Sequence, residues 1–203
     1  MEPQSHPCQP GRKSRSRLSR LPGMGLAAGL ACGVSIGVGN ASGQSMSFNY
    51  TVGSVVPDDS SLGIQDTRTV ADPNGPLQSV QVSLQLTPVG PDGGWIGDLY
   101  AYLRHTDNSG TSTSILLNRI GRTAANSAGL SDGPSIDITL AAGGPDIHLL
   151  TSPLISPLTG SFSADGRAVD PNLVLDTSPR TAGLGVFSGA APSGDWTLFI
   201  ADL

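Results

Sequence analysis

The stretch VQVSLQL, residues 80–86, sets an apolar side chain at every second position: Val80, Val82, Leu84 and Leu86, with Gln81, Ser83 and Gln85 between them. A period of two is the period of a strand with one buried face and one wet face. On a helix the same four residues would scatter around the circumference. The pattern recurs outward along the chain. Leu99, Ala101 and Leu103 alternate in DLYAYLR, residues 98–104. Ile136, Ile138 and Leu140 alternate with Asp137 and Thr139, and Trp196, Leu198 and Ile200 with Thr197, Phe199 and Ala201. TSILLN, residues 113–118, is a short apolar run, and Leu173 and Leu175 read as a brief strand. Between the runs lie turn formers, including Pro57-Asp58-Asp59, Asp107-Asn108-Ser109-Gly110, Gly143-Gly144-Pro145-Asp146 and Pro192-Ser193-Gly194-Asp195. Many short strands punctuated by turns predict an all-β protein, an antiparallel β-sandwich. Only TAANSAGL, residues 123–130, has helical flavour, and it is short.

The N-terminal part reads differently. Arg12, Lys13, Arg15, Arg17 and Arg20 precede an uncharged run, Leu21 to Gly39, and then Asn40-Ala41-Ser42-Gly43. A basic region, an apolar region and a small-residue exit predict a signal peptide over residues 1–43, cut near Gly43-Gln44. The apolar run is also long enough for a retained anchor. Gly29-Leu30-Ala31-Cys32 is a poor lipobox, because Gly rather than Leu stands three residues before the Cys. The reading thus divides the chain into a leader, 1–43, and a β-sandwich, 44–203, that is secreted or displayed at the cell surface.

Both cysteines, Cys8 and Cys32, precede the cut, so the domain would have no disulfide and no cysteine chemistry. From residue 44 onward fifteen Asp face six Arg, with no Glu and no Lys, for a formal charge of −9. That charge argues against nucleic acid or an anionic membrane as partner. Asp without Glu favours turns and caps over helices.

Catalytic constellations are sparse. Gly129-Leu130-Ser131-Asp132-Gly133 has the form of a nucleophile elbow, but Pro134 follows at once where the motif needs a helix. His148 could be written in as the base for Ser131, but no α/β framework is predicted to hold them. His105 and His148 each read as hydrogen-bonded structural residues, since nothing sits at triad or ligand spacing from them. Asp58-Asp59 lies in a turn, and Asp107-Asn108-Ser109-Gly110 lacks EF-hand spacing. Asn49-Tyr50-Thr51 is a glycosylation sequon in form alone.

Several segments, in order, resemble the P domain (P/Homo B), the β-sandwich that follows the catalytic domain of subtilisin-like proprotein convertases. VVPDDSSLGIQDTRTV, residues 55–70, resembles its opening turn and strand. Residues 77–121, with Gly97-Asp98-Leu99, resemble its centre, and PLTGSFSADGR, residues 157–167, a later stretch. SGDWTLFIADL, residues 193–203, resembles its Gly-x-Trp-x-Leu-x-Val-x-Asp strand. The chain departs from the pattern at Gly94-Trp95-Ile96, and it stops where the family continues to another strand. The resemblance therefore implies a sandwich lacking its last strand, with an unpaired edge or groove.

It also implies a role. In the family the P domain packs on a serine endopeptidase and stabilises it, and some members bind calcium. The chain is expected to be a non-catalytic accessory module docking on a protease or surface component, with no small-molecule cofactor. Asp98 and Asp202 carry over as candidate calcium ligands, although calcium needs about six to eight oxygens. The structural alternative has Asp98 bonding turn amides and Asp202 ending a strand. A second reading is a carbohydrate-binding or adhesion sandwich. Trp196 alternates with core residues, so Trp95, beside Gly93-Gly94, is the candidate platform.

Overall fold

The computed structural model describes residues 26–28, 31–38, 44–71, 75–89 and 94–203. Eleven strands follow in chain order: β1 (Leu26–Ala28), β2 (Ala31–Val38), β3 (Gln44–Thr51), β4 (Ser54–Val56), β5 (Ser60–Val70), β6 (Leu77–Leu86), β7 (Leu99–Asp107), β8 (Gly110–Asn118), β9 (Ile136–Leu140), β10 (Leu158–Phe162) and β11 (Gly194–Asp202). One sheet runs β10-β9-β6-β2-β3, the other β5-β11-β7-β8, and β1 pairs with β4. The protein is an all-β sandwich. The helical segments among the described residues are 3-10 turns at Ile96–Asp98, Ile147–Leu149 and Leu184–Phe187. None is long or apolar enough to cross a membrane.

The alternating rows build the core. On β6, Val80, Val82, Leu84 and Leu86 are buried while Gln81 and Gln85 are exposed. Leu84 stands opposite Ile138 of β9, and both point to the same interior. From the facing sheet, Leu99, Ala101 and Leu103 of β7 and Trp196, Leu198 and Ile200 of β11 close on them. Each fully buried aliphatic side chain stabilises by about 1.5–3 kcal/mol, so this shared interior is the main force holding the layers together.

The pairing is not antiparallel throughout. β9 and β10 run parallel, Leu158 opposite Ile136, which makes the first sheet mixed. The intervening chain, residues 141–157, is long enough for the crossover that parallel strands require. Leu173 and Leu175 do not form a strand. Asp170 accepts from the backbone of Asn172, Leu173 and Val174, and the resulting turn buries Val174 and leaves Leu173 exposed. Residues 123–130 form turns, pinned by Asn126 bonds to Thr123 and Gly129.

β11, which carries Trp196, is an inner strand hydrogen-bonded to β5 and to β7. Outside it, the edge strand β5 turns Asp66 and Arg68 toward the interior side, bonded to each other at 2.8 Å. Inward-pointing charge on an edge discourages pairing with another chain. The opposite edge, β8, is covered: Asp165 and Gly166 donate to Leu116 and Ile115, and Ile115 donates to Ala182.

The N-terminal reading meets this fold at β2. Ala31–Val38, from the apolar run, lies between β3 and β6. Most of the predicted leader, including Cys8, and residues 72–74 and 90–93 lie outside the described residues. So do the side chains of the Asn49 sequon.

Candidate functional site

The inward row of β11 does not end as it begins. After Trp196, Leu198 and Ile200 the next inward position is Asp202, only 4% exposed. Among the described residues its side chain makes no hydrogen bond and no ion pair, although its backbone belongs to the sheet. It stands opposite Ser60, the first residue of β5, and opposite Leu99, the first residue of β7. The turns that lead into those two strands therefore meet it.

One of these turns is Asp58-Asp59, with Asp59 in the left-handed region at φ 49°. The other is the 3-10 turn Ile96–Asp98, fastened on every side. Ile96 donates to Asp132 O and Gly97 to Leu130 O, while Asp98 O accepts from Leu203 N at 3.0 Å. A Cβ on Gly97 would stand 2.4 Å from Leu130 N, so only glycine fits this approach. Arg119, just past β8, is also left-handed, at φ 54°. Its Nε donates to Gly97 O at 2.7 Å and a terminal nitrogen lies 2.9 Å from Asp98 Oδ1.

The result is an acidic end of the sandwich. Burial, then the charges of Asp58 and Asp98, push the Asp202 carboxyl up to about 7, with Arg119 pulling the other way and Asp59 adding to the rise. Beside it opens a recess of about 380 Å³, lined by Asp59, Trp95, Asp98, Arg119, Arg122 and Leu203 among others. Trp95 is half exposed at its rim. Trp95 and Asp98 line this recess, whereas Asp202 is buried near Asp98 and is not part of the lining.

Asp98 is the last residue of the 3-10 turn. Its carboxylate pairs with Arg119, a residue that sequence reasoning missed because two strands, β7 and β8, and the turn between them separate the two. Calcium is a poor fit to this donor set. Asp98 is already bridged to a guanidinium, and among the described residues no three His, Cys, Asp or Glu side chains are grouped to hold a metal.

A second polar cluster lies under the loops that cover β8. His148 Nδ1 is 2.7 Å from Asp165 Oδ2, and its Nε2 is 2.9 Å from Arg122 O. The Arg122 carbonyl can only accept, so Nε2 donates to it, and the Asp165 carboxyl beside Nδ1 favours the charged imidazole. Burial works against that charge. The Asp165 hydrogen bond and charge and the Arg122 carbonyl outweigh burial, with Arg167 opposing them, and hold His148 above the ordinary imidazole value. Arg167 bridges Asp146 at 2.8 Å and Asp165 at 3.3 Å. Arg180 donates to Asp165 O and Ala164 O.

His148 is thus engaged on both nitrogens. His105 stacks on Trp196 with ring centroids 4.1 Å apart and bonds Ser193 O. Trp196 itself is a core residue, its indole N–H donated to Pro192 O. Ser131 is exposed on a loop and hydrogen-bonds neither described histidine. No known protein family, curated protein or solved structure matches this chain.

Proposed function

We propose that this chain is an exported, non-catalytic β-sandwich module that docks on a protein partner, in keeping with the P-domain resemblance, where the partner is a subtilisin-like serine protease. The observation that carries the reading is a half-exposed tryptophan at the rim of a carboxylate-lined recess, on a sandwich whose described histidines are otherwise engaged by the framework. Exposed aromatic anchors beside charged groups suit protein recognition. The recess sits on strand ends held by three backbone hydrogen bonds, the Arg119 contact to Gly97 O and an ion pair, a rigid base for a contact surface.

The test is site-specific photocrosslinking in the cell that makes the chain. A photoreactive residue at position 95 is expected to trap one partner that the same residue at exposed position 62 does not. A trapped protease should inactivate faster on heating once the module is removed. No adduct at 95, or the same adducts at both positions, would sink the reading. A sugar-binding sandwich would instead give a glycan-array signal that disappears in Trp95→Ala.

A further inference from the structure

β2 holds a seat in the sheet that export would empty. Ala31–Val38 lies between β3 and β6 and runs antiparallel to both. Its ladder with β6 runs from Gly33 opposite Ser83 to Val38 opposite Leu77. Its ladder with β3 runs from Ala31 opposite Thr51 to Val38 opposite Gln44. Removal of residues 1–43 takes β2 away and leaves two strand edges facing each other across a gap one strand wide. The edge of β6 then lacks a sheet partner from Leu77 to Ser83, along a strand whose Val80 and Val82 belong to the core. Unpaired edges of this kind template another chain.

The chain has no ready substitute of its own. β3 runs parallel to β6, since both are antiparallel to β2, so it would have to reverse to rebuild the antiparallel ladder. β7, β9 and β11 are already paired on both sides. In a second copy β3 is again a wall of the seat, and a copy that donated it would lose that wall. The segment seated there shows what an occupant must look like. In ACGVSIGV, Val34 and Ile36 hold the register positions opposite Val82 and Val80, the buried row of β6, whereas Gly33 and Ser35 stand opposite Ser83 and Gln81. Strand addition draws affinity from main-chain hydrogen bonds and specificity from alternate side chains.

We propose that, once residues 1–43 are removed, this seat receives an extended strand of the protein partner, antiparallel to β6, with branched apolar residues alternating with Gly or Ser. The inference rests on the export and docking reading and names where the partner's backbone enters the sheet. In the uncut chain residues 31–38 keep the seat closed, so cleavage is what opens it.

The experiment starts from the folded full chain with a site for a sequence-specific protease placed between Gly43 and Gln44. The probe is a fluorescent peptide of residues 31–38 carrying Cys32→Ser, followed by anisotropy. After nicking, the chain is expected to exchange its own segment for the probe saturably, with Kd on the order of micromolar. The uncut chain should take up about tenfold less or lower still, and a probe with Ile36→Asp should bind about tenfold more weakly or worse. In the producing cell a photoreactive residue at exposed Gln81, inside the seat, should trap the protein trapped at position 95, and one at exposed Gln85, beyond the seat, should not. No uptake after nicking, equal uptake by the uncut chain, equal binding of the Ile36→Asp probe, or dimers of the nicked chain that the probe does not dissolve overturns the proposal. So does an adduct at 81 with a second copy, or none. Exported protein that still carries residues 31–38 removes the cleavage and the proposal with it. A chain that begins at Gln44 and crosslinks at 95, yet takes up no probe, keeps export and docking and removes only the seat.

Discussion

His148 and Asp165, both fully buried, meet through a 2.7 Å contact between Nδ1 and Oδ2, and the carbonyl of Arg122 takes the other ring nitrogen. A serine protease would aim that second nitrogen at a nucleophile. Here it ties the loop after β8 to the loops around residues 146–148 and 165–167. The pair is a rivet.

Removing the rivet should be costly. His148→Asn is expected to destabilise by about 3 kcal/mol, roughly 10 °C in Tm, because the buried Asp165 carboxyl loses that partner. Calorimetry at pH 6 checks this. The raised imidazole value sets the sign of the pH dependence. The His148 contribution is fully present below the unfolded value of roughly 6.5 and is lost as pH rises through the folded value. Between pH 6 and 9 the wild-type Tm should fall more than that of His148→Asn; equal slopes would refute the assignment.

Asp202 titrates in the same direction for a different reason. Its carboxyl sits at about 7 when folded, so the folded chain holds that proton longer than the unfolded one. Stability is then lost between roughly pH 4 and pH 7 and stays lower above that range. Asp202→Asn removes the charge but keeps the shape. At pH 8 it should stabilise the protein by about 1–2 kcal/mol, a figure already reduced for solvent screening. Urea unfolding at pH 4.5 and pH 8 gives the comparison, and a destabilised variant at pH 8 would contradict the reading.

Arg119 combines an ion pair, a carbonyl contact and a left-handed backbone. Arg119→Ala is expected to cost about 2–3 kcal/mol, between the values for exposed and fully buried pairs. Arg119→Gly, which fits the backbone better, should recover several tenths of that cost but not the clamp. Identical stability for Ala and wild type would mean that the pair contributes nothing.

Gly97→Ala should be worse than either. The added Cβ meets backbone atoms of Leu130 and Ala128, which have no rotamer by which to move away. A loss of more than about 3 kcal/mol, or no soluble protein, is the expected result. Gly185→Ala is the control, because a Cβ there meets nothing within 4 Å.

Export makes its own prediction. Protein recovered outside the producing cell should begin at Gln44 by N-terminal sequencing. That cut removes β2, which lies between β3 and β6, and leaves β6 paired only with β9. A recovered chain that still carries residues 31–38 would keep β2 in the sheet and overturn the cleavage.

The sequence by itself determined the architecture. Val80 to Leu86, Leu99 to Leu103, Ile136 to Leu140 and Trp196 to Ile200 alternate because a strand faces the core with every second residue, and that period survives in one dimension. It also marked Trp196 as core, His148 as hydrogen-bonded, and Asp58-Asp59 as a turn. What only the tertiary structure decided is which of these residues meet. The parallel register of β9 with β10 depends on the path of a long loop. The Asp98–Arg119 pair depends on β7 and β8 lying side by side, and Arg119 has no pattern of its own. His148, Asp165 and Arg167 come together from loops, where no periodicity links sequence to direction. In the sequence Asp202 is either the last residue of a strand or, through the resemblance, a candidate calcium ligand. Its significance comes from burial beside three other carboxylates, and burial is a property of the packed molecule.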